Sequence, residues 1–322
     1  MSWLPHLRTT SFRRYSSCAA PIRSQLERPP IAYHYLRTPI PYDIGLQLQE
    51  NIVDTRARWR KAGTYTGAAD DVGDVVLLLE HTPTYTTGRR DLALTSSSTH
   101  PEQVKMVHSG AEFHQSKRGG QVTYHGMGQL VGYPILDIGS GGMSLSARCY
   151  VDYIQSVLSA YARATLSDAD VLAPHPNGHV GVFVGPQEKL ASIGIQIRHR
   201  ITSHGFAMNV TREPIPWFDL VTACGLNDVR ATSLEGVLSG QRLPPSESQS
   251  LLSVETVAKD LMTFFGDKFG RRMAPLQEVE QTGARSREED IWSEIRGLIQ
   301  RAEDAASERM NSASVLWRPQ TI

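Results

Sequence analysis

Cys224 lies in the segment VTACGL at 221–226, with a small residue before it and glycine after it. That leaves room around a sulfur, and a thiolate is a strong nucleophile. A lone cysteine is more often a buried structural thiol. A nearby cation reverses that expectation, because Lys or protonated His lowers the thiol pKa. Lys189 and His204 are the candidate cations. Each also has a plainer reading, Lys189 as a strand-end lysine and His204 as a hydrogen-bonded core histidine. A second concentration of chemistry is RGGQVTYHGMGQLVGYPILDI at 118–138. Glycines this dense beside Arg118, Tyr124 and His125 suggest backbone that comes close to a ligand. A tight turn between two strands would explain them as well. A dinucleotide fingerprint fails, since Val131 stands where the third glycine should be and the next element reads as a strand. There is no GxxxxGK[ST] segment for a phosphate loop.

The elements that must position these groups are partly legible. Residues 43–61 read as a helix and 63–74 as a polar surface loop. Residues 75–80 (VVLLLE) and 129–138 read as strands, the first buried because its apolar run is short and continuous. Residues 139–142 (GSGG) read as a turn. Tyr150, Ile154, Val157, Leu158 and Tyr161 make one apolar stripe, which predicts a helix over 144–165 with Cys149 at its margin as a partly buried packing thiol. Three strands follow at 179–184, 190–197 and 202–210. Hairpin chemistry at 185–188 puts Lys189 at the entry to the second. Residues 236–250 read as a loop, 254–265 as an amphipathic helix, and 288–309 as a surface helix in a polar tail. Consecutive strands in the middle favour an α/β fold of α+β type, a mixed sheet flanked by helices.

Composition narrows the classes. The chain has 322 residues, 40% of them hydrophobic and 20% charged, as in an ordinary globular protein. Lys+Arg and Asp+Glu are both 33, so there is no charge footprint for nucleic acid. The apolar run at 75–79 is too short to cross a membrane. Three widely spaced cysteines, Cys18, Cys149 and Cys224, make neither a disulfide framework nor a zinc pattern, so no metal is expected. Residues 1–26 carry Arg8, Arg13, Arg14 and Arg23, many Ser and Thr, and no acidic residue. That composition is expected of a mitochondrial transit peptide, cleaved after Tyr15, leading to the matrix.

Read in order, LLLEHTPTYTTGR (77–89), the 118–138 segment, KLASIGIQI (189–197), SHGFAMNV (203–210) and ACGL (223–226) resemble the lipoyl(octanoyl) transferase family, the octanoyl-acyl carrier protein:protein N-octanoyltransferases. The blocks span most of residues 35–270. The resemblance implies a fold similar to biotin and lipoate protein ligase catalytic domains and a catalytic domain over 27–272; residues 273–322 lie outside it and read as a polar, helical extension. It implies that Cys224 carries the acyl thioester and that Lys189 lowers its pKa. The positions matching substrate contacts are Arg118, Gly119, Gly120, Gln121, Val122, Thr123, Tyr124 and His125. Ser192, Ile193 and Gly194 match as well, as do His204, Gly205 and Phe206. No cofactor is implied. The implied donor is octanoyl-acyl carrier protein. The implied acceptors are lipoyl-domain proteins, such as the glycine cleavage H protein and the E2 subunits of 2-oxoacid dehydrogenases. Met127 stands where the family usually has proline. The alternatives are an ATP-dependent lipoate ligase of the same fold, an acyl thioesterase, and a non-catalytic binder of carrier or lipoyl domains.

Overall fold

The computed structural model describes residues 28–62, 73–91, 110–139, 144–220, 229–240, 252–282 and 288–312. Its main sheet runs in the order β12-β1-β2-β6-β10-β9-β8-β7. These strands are β1 (Ile31–Tyr35), β2 (Val75–Leu79), β6 (Gln129–Ile135), β7 (Val171–Leu172), β8 (Val182–Val184), β9 (Glu188–Arg198), β10 (Ile201–Asn209) and β12 (Met273–Pro275). A short β11 (Arg230–Ala231) joins β9 where β10 has ended. β1 runs parallel to β2 and β12 and β11 parallel to β9, whereas the β2–β6, β6–β10, β10–β9 and β9–β8 pairs are antiparallel, so the sheet is mixed. A smaller sheet has the order β4-β3-β5, made of Glu112–Gln115, Thr84–Thr87 and Thr123–His125.

β2 shows why the sheet sits in the middle. Val76 and Leu78 enter one hydrophobic cluster, and Val75, Leu77 and Leu79 enter another on the opposite face. Side chains alternate across a strand, so a continuous apolar run must be covered on both sides. One cover is α2 (Ala147–Thr165) with α5 (Val254–Phe269). The other is α1 (Tyr42–Lys61) with α7 (Glu288–Ser312). Ser146 caps α2 through the Cys149 amide, and Gly270 closes α5 with φ 60. α3 (Ile215–Phe218), α4 (Leu234–Gly240) and α6 (Leu276–Thr282) are short connectors.

Several expectations are corrected. The strand predicted over 129–138 ends at Ile135. Beyond it, side chains take over the backbone partners: Leu136 N–H donates to Thr202 Oγ1 and Asp137 N–H to Asp74 Oδ1. The strand predicted over 179–184 begins only at Val182, after Gly181 with φ 135. Residues 236–240, read as loop, complete α4, and 241–250 lie outside the described residues. Of the turn at 139–142, only Gly139 is described. Cys149, expected as a packing thiol, does pack against the core, but it is disulfide-bonded. The tail beyond 272 adds β12 to the main sheet. The helix within it, predicted to lie on the surface, buries Ile291, Ile295, Ile299, Ala302 and Ala306 as an unbroken stripe.

Asp74, read as part of a surface loop, is fully buried. Its Oδ1 meets Arg56 Nη2 at 2.5 Å and its Oδ2 pairs with Arg271, both guanidiniums also being buried. The carboxylate ties α1, the start of β2 and the end of α5 together. Asp74→Ala leaves two buried cations without their anion and should destabilise the chain by about 3–5 kcal/mol. Urea unfolding followed by circular dichroism measures that loss.

Candidate active site

The small sheet leans on β6, β10 and β9, and a cavity lies between them. The loop after β4 reaches over it, fastened by Gly119 N–H to Ile195 O at 3.0 Å. Of the residues singled out from the sequence, Arg118, Gly120, Gln121, Thr123 and His125 line it from this side. Lys189, Ser192, Ile193 and Gly194 line it from β9, and His204, Gly205 and Phe206 from β10. Gly119 contributes its backbone rung. Val122 and Tyr124 point the other way into a small core with Tyr85 and Phe218, where Tyr124 stacks on Trp217 at 5.1 Å. Strand alternation in β5 accounts for the split.

A second cavity shares Lys189, Ser192 and Ala207 with the first. Lys189 therefore stands between the two. β9 holds it with Phe183 of β8 on one side and Ala231 of β11 on the other. Thr232 N–H donates to the Lys189 carbonyl at 3.0 Å. A Cβ on Gly181 would come within 2.9 Å of Lys189 Cε, so the missing side chain there makes room for the lysine stem. Cys224 lies outside the described residues. On the second cavity's wall, Phe218 and Val229 are the described residues nearest it in sequence.

Arg118 is buried and fixed, its Nη2 donating to Thr86 O and Thr86 Oγ1, both at 2.8 Å. His125 Nδ1 lies 2.8 Å from Gln129 Oε1, and Gln129 Nε2 donates to Tyr124 O and Asn209 Oδ1. Gln129 thus presents an acceptor to His125, so Nδ1 carries the ring hydrogen and Nε2 keeps its lone pair. Asn209 continues the chain of bonds to Thr232 O at 2.9 Å. His81 Nδ1 contacts Ile40 O at 2.6 Å, and its Nε2 contacts Tyr133 Oη at 2.5 Å. A carbonyl only accepts, so Nδ1 is the protonated nitrogen and the tyrosine hydroxyl donates to Nε2. His204 has φ 55 in the middle of β10. That left-handed backbone is strained for a non-glycine residue, and Gln49 Oε1 accepts its N–H at 2.7 Å. The sequence reading missed Tyr42, Gln49, His81, Gln129, Tyr133 and Asn209. His81, Gln129, Tyr133 and Asn209 stood inside the quoted blocks, whereas Tyr42 and Gln49 carried no local signal.

The pattern of the lipoyl protein ligase A/B catalytic domain matches residues 45–265. An octanoyltransferase of Acidobacterium capsulatum is 37% identical over 251 residues, covering 74% of this chain and 90% of that protein. One from Desulforamulus reducens is 31% identical, over 71% and 87% of the two chains. The chain belongs to the octanoyltransferase family. Solved structures agree on the fold. A lipoate-protein ligase A bound with ATP aligns with TM-score 0.55 at 13% identity, over 85% of this chain and 94% of the other. Protein Ta0514 of T. acidophilum with bound lipoic acid aligns with TM-score 0.54, over 84% and 95%. The expected similarity to lipoate ligase catalytic domains therefore holds.

In this octanoyltransferase-family chain burial favours the neutral form of His81, His125 and His204. Burial first of all pushes His81 down to about 4. Burial, then Arg118 and His81, push His204 down to about 3. His125 falls well below its ordinary range by burial, with His81 and Arg118 adding to it. All three folded values lie below the unfolded one, so the unfolded chain binds more protons in the interval. Their contribution is intact above about pH 6.5 and is lost as pH falls toward the folded values. The expected slope is up to about 3 kcal/mol per pH unit near pH 5 from His81 and His204 together, with His125 adding in the same direction. Urea midpoints measured from about pH 7 to about pH 5 should show it, with a shallower slope in His204→Gln.

Proposed function

We propose that this acyltransferase moves an octanoyl group from octanoyl-acyl carrier protein to a lysine of lipoyl-domain proteins, through a thioester on Cys224. The observation that carries the reading is the place of Lys189 between two cavities, the second walled by Phe218 and Val229 on either side of the Cys224 segment. Family membership supports octanoyl transfer in protein lipoylation. Val131, Ile193, Phe206 and Ala207 give the first cavity apolar surface for an aliphatic chain.

The Lys189 ammonium stabilises the Cys224 thiolate, which attacks the carrier thioester carbonyl. The carrier thiolate leaves and takes up a proton, and the acyl group stays activated on sulfur without ATP. The acceptor lysine, as a free amine, then attacks the acyl-enzyme. An amide forms, the amine proton leaves, and the Cys224 thiolate is restored. Lys189 is placed to relay that proton. Residues 1–26 and the matrix location belong to the same reading, on composition alone.

Intact-protein mass spectrometry tests this, in reductant, with octanoyl-acyl carrier protein and no ATP. A mass gain of one octanoyl group is expected, absent in Cys224→Ser and discharged by an apo lipoyl domain. Lys189→Ala should slow acylation about 100-fold or more. Transfer that needs ATP and survives Cys224→Ser would establish a ligase instead. Octanoate release without amide would establish a thioesterase, and binding without turnover a carrier-binding protein. Fusing residues 1–26 to a fluorescent protein should carry it into mitochondria; a cytosolic signal would remove that part of the reading.

A further inference from the structure

β5 and β6 are joined by Gly126, Met127 and Gly128, a turn closed by Gln129 N–H to Gly126 O at 3.2 Å. The residues on either side of it, His125 and Gln129, make the hydrogen-bonded pair at the cavity. Their mutual geometry is therefore set by how the turn is held. Gly128 has φ 78, and a Cβ there would come within 2.0 Å of Thr211 Oγ1. On one side its carbonyl accepts from Val210 and Thr211 N–H at 2.9 and 3.0 Å. On the other its N–H donates to Glu80 Oε2 at 2.6 Å. Nothing in the strand ladder supplies that second bond; it comes from a side chain at the end of β2.

We propose that Glu80 is a positioning residue for catalysis: its carboxyl group fixes the Gly126–Gly128 turn, and so sets His125, on the wall of the first cavity, against Gln129, on the wall of the second. Glu80 is itself held from two directions. Its backbone carbonyl accepts from Ile40 N–H at 2.9 Å, and Tyr35 donates its hydroxyl to Oε1 at 3.3 Å. Burial pushes the carboxyl up, while Gly128 N–H and the Tyr35 hydroxyl pull it back. Met127, at 39% exposure, contributes no buried anchor to the turn, and its side chain lacks the ring that proline would bring to this position. The clamp on Gly128 is what restrains it.

The proposal rests on the reading of this cavity as the octanoyl-transfer site. It predicts that acceptor position matters and charge does not. Glu80→Gln keeps an oxygen at the same reach and loses the charge. Glu80→Asp keeps the charge and falls one methylene short. Glu80→Ala removes the acceptor and leaves the amide unpaired. With melting curves confirming that each variant is folded, kcat for octanoyl transfer in Glu80→Gln should stay within about threefold of the parent, as expected for a weaker neutral bond. Glu80→Asp and Glu80→Ala should fall about tenfold or more in kcat, with KM for the acceptor little changed. The His125 ring resonances should move in those two variants and not in Glu80→Gln. Full activity in folded Glu80→Ala would overturn the proposal, as would an active Glu80→Asp beside an inactive Glu80→Gln. A parent enzyme with no transfer would instead overturn the functional reading.

Discussion

The close approach of glycine backbones at the centre of the sheet is the constraint on which the site depends. A Cβ on Gly205 would lie 2.3 Å from the Gly132 carbonyl oxygen, and one on Gly194 would lie 2.8 Å from that of Gly119. Gly205 pairs with Gly194 across β10 and β9, and Phe206 pairs with Gly132 across β10 and β6, its ring filling the space above that glycine. With side chains at these positions the loop carrying Arg118 could not close onto β9, and Arg118 could not be buried beside Thr86. The cavity is therefore made as much by missing atoms as by the groups that line it.

Around that cavity the charges are unequal in kind. His81, His125 and His204 are held neutral by burial, and the tautomers of His81 and His125 are set by fixed partners. Arg118 keeps its charge because guanidinium does not lose a proton in proteins. Lys189 stands at the junction with the second cavity. A negative centre formed between these groups would meet two cations and several neutral, oriented dipoles, the arrangement that stabilises charge without reorganising.

Much of this was legible, for identifiable reasons. β2 could be read because a five-residue apolar run has few alternatives, and α2 because its stripe repeats at helical spacing and Ser146 marks its start. The hairpin at 185–188 placed Lys189 correctly because Gly185 supplies the positive φ that the turn needs. Gln49 was not legible, since its role depends on a strained residue 155 positions away. Nor was the hub at Asp74, because its partners Arg56 and Arg271 come together only in three dimensions. The charged residues of α7 concealed a buried stripe, as one face of a helix tells little about the other. Of the candidate site, the residues on β9 and β10 and in the glycine-rich loop converge as expected, while Val122 and Tyr124 show that a contiguous motif on a strand must be divided between two faces.

The packing of α7 on α1 has a consequence for how the molecule is made. The face of β2 that bears Val75, Leu77 and Leu79 shares its cluster with Ile291, Ile295 and Ile299. During synthesis that face stays partly uncovered until the ribosome has released residues more than two hundred positions downstream. The other face needs α5, also late in the chain. The central strands are thus among the first segments to emerge and among the last to be enclosed. A nascent chain of this protein carries an adhesive, strand-forming surface for most of its translation, which makes it a natural client for chaperones until its last helix docks.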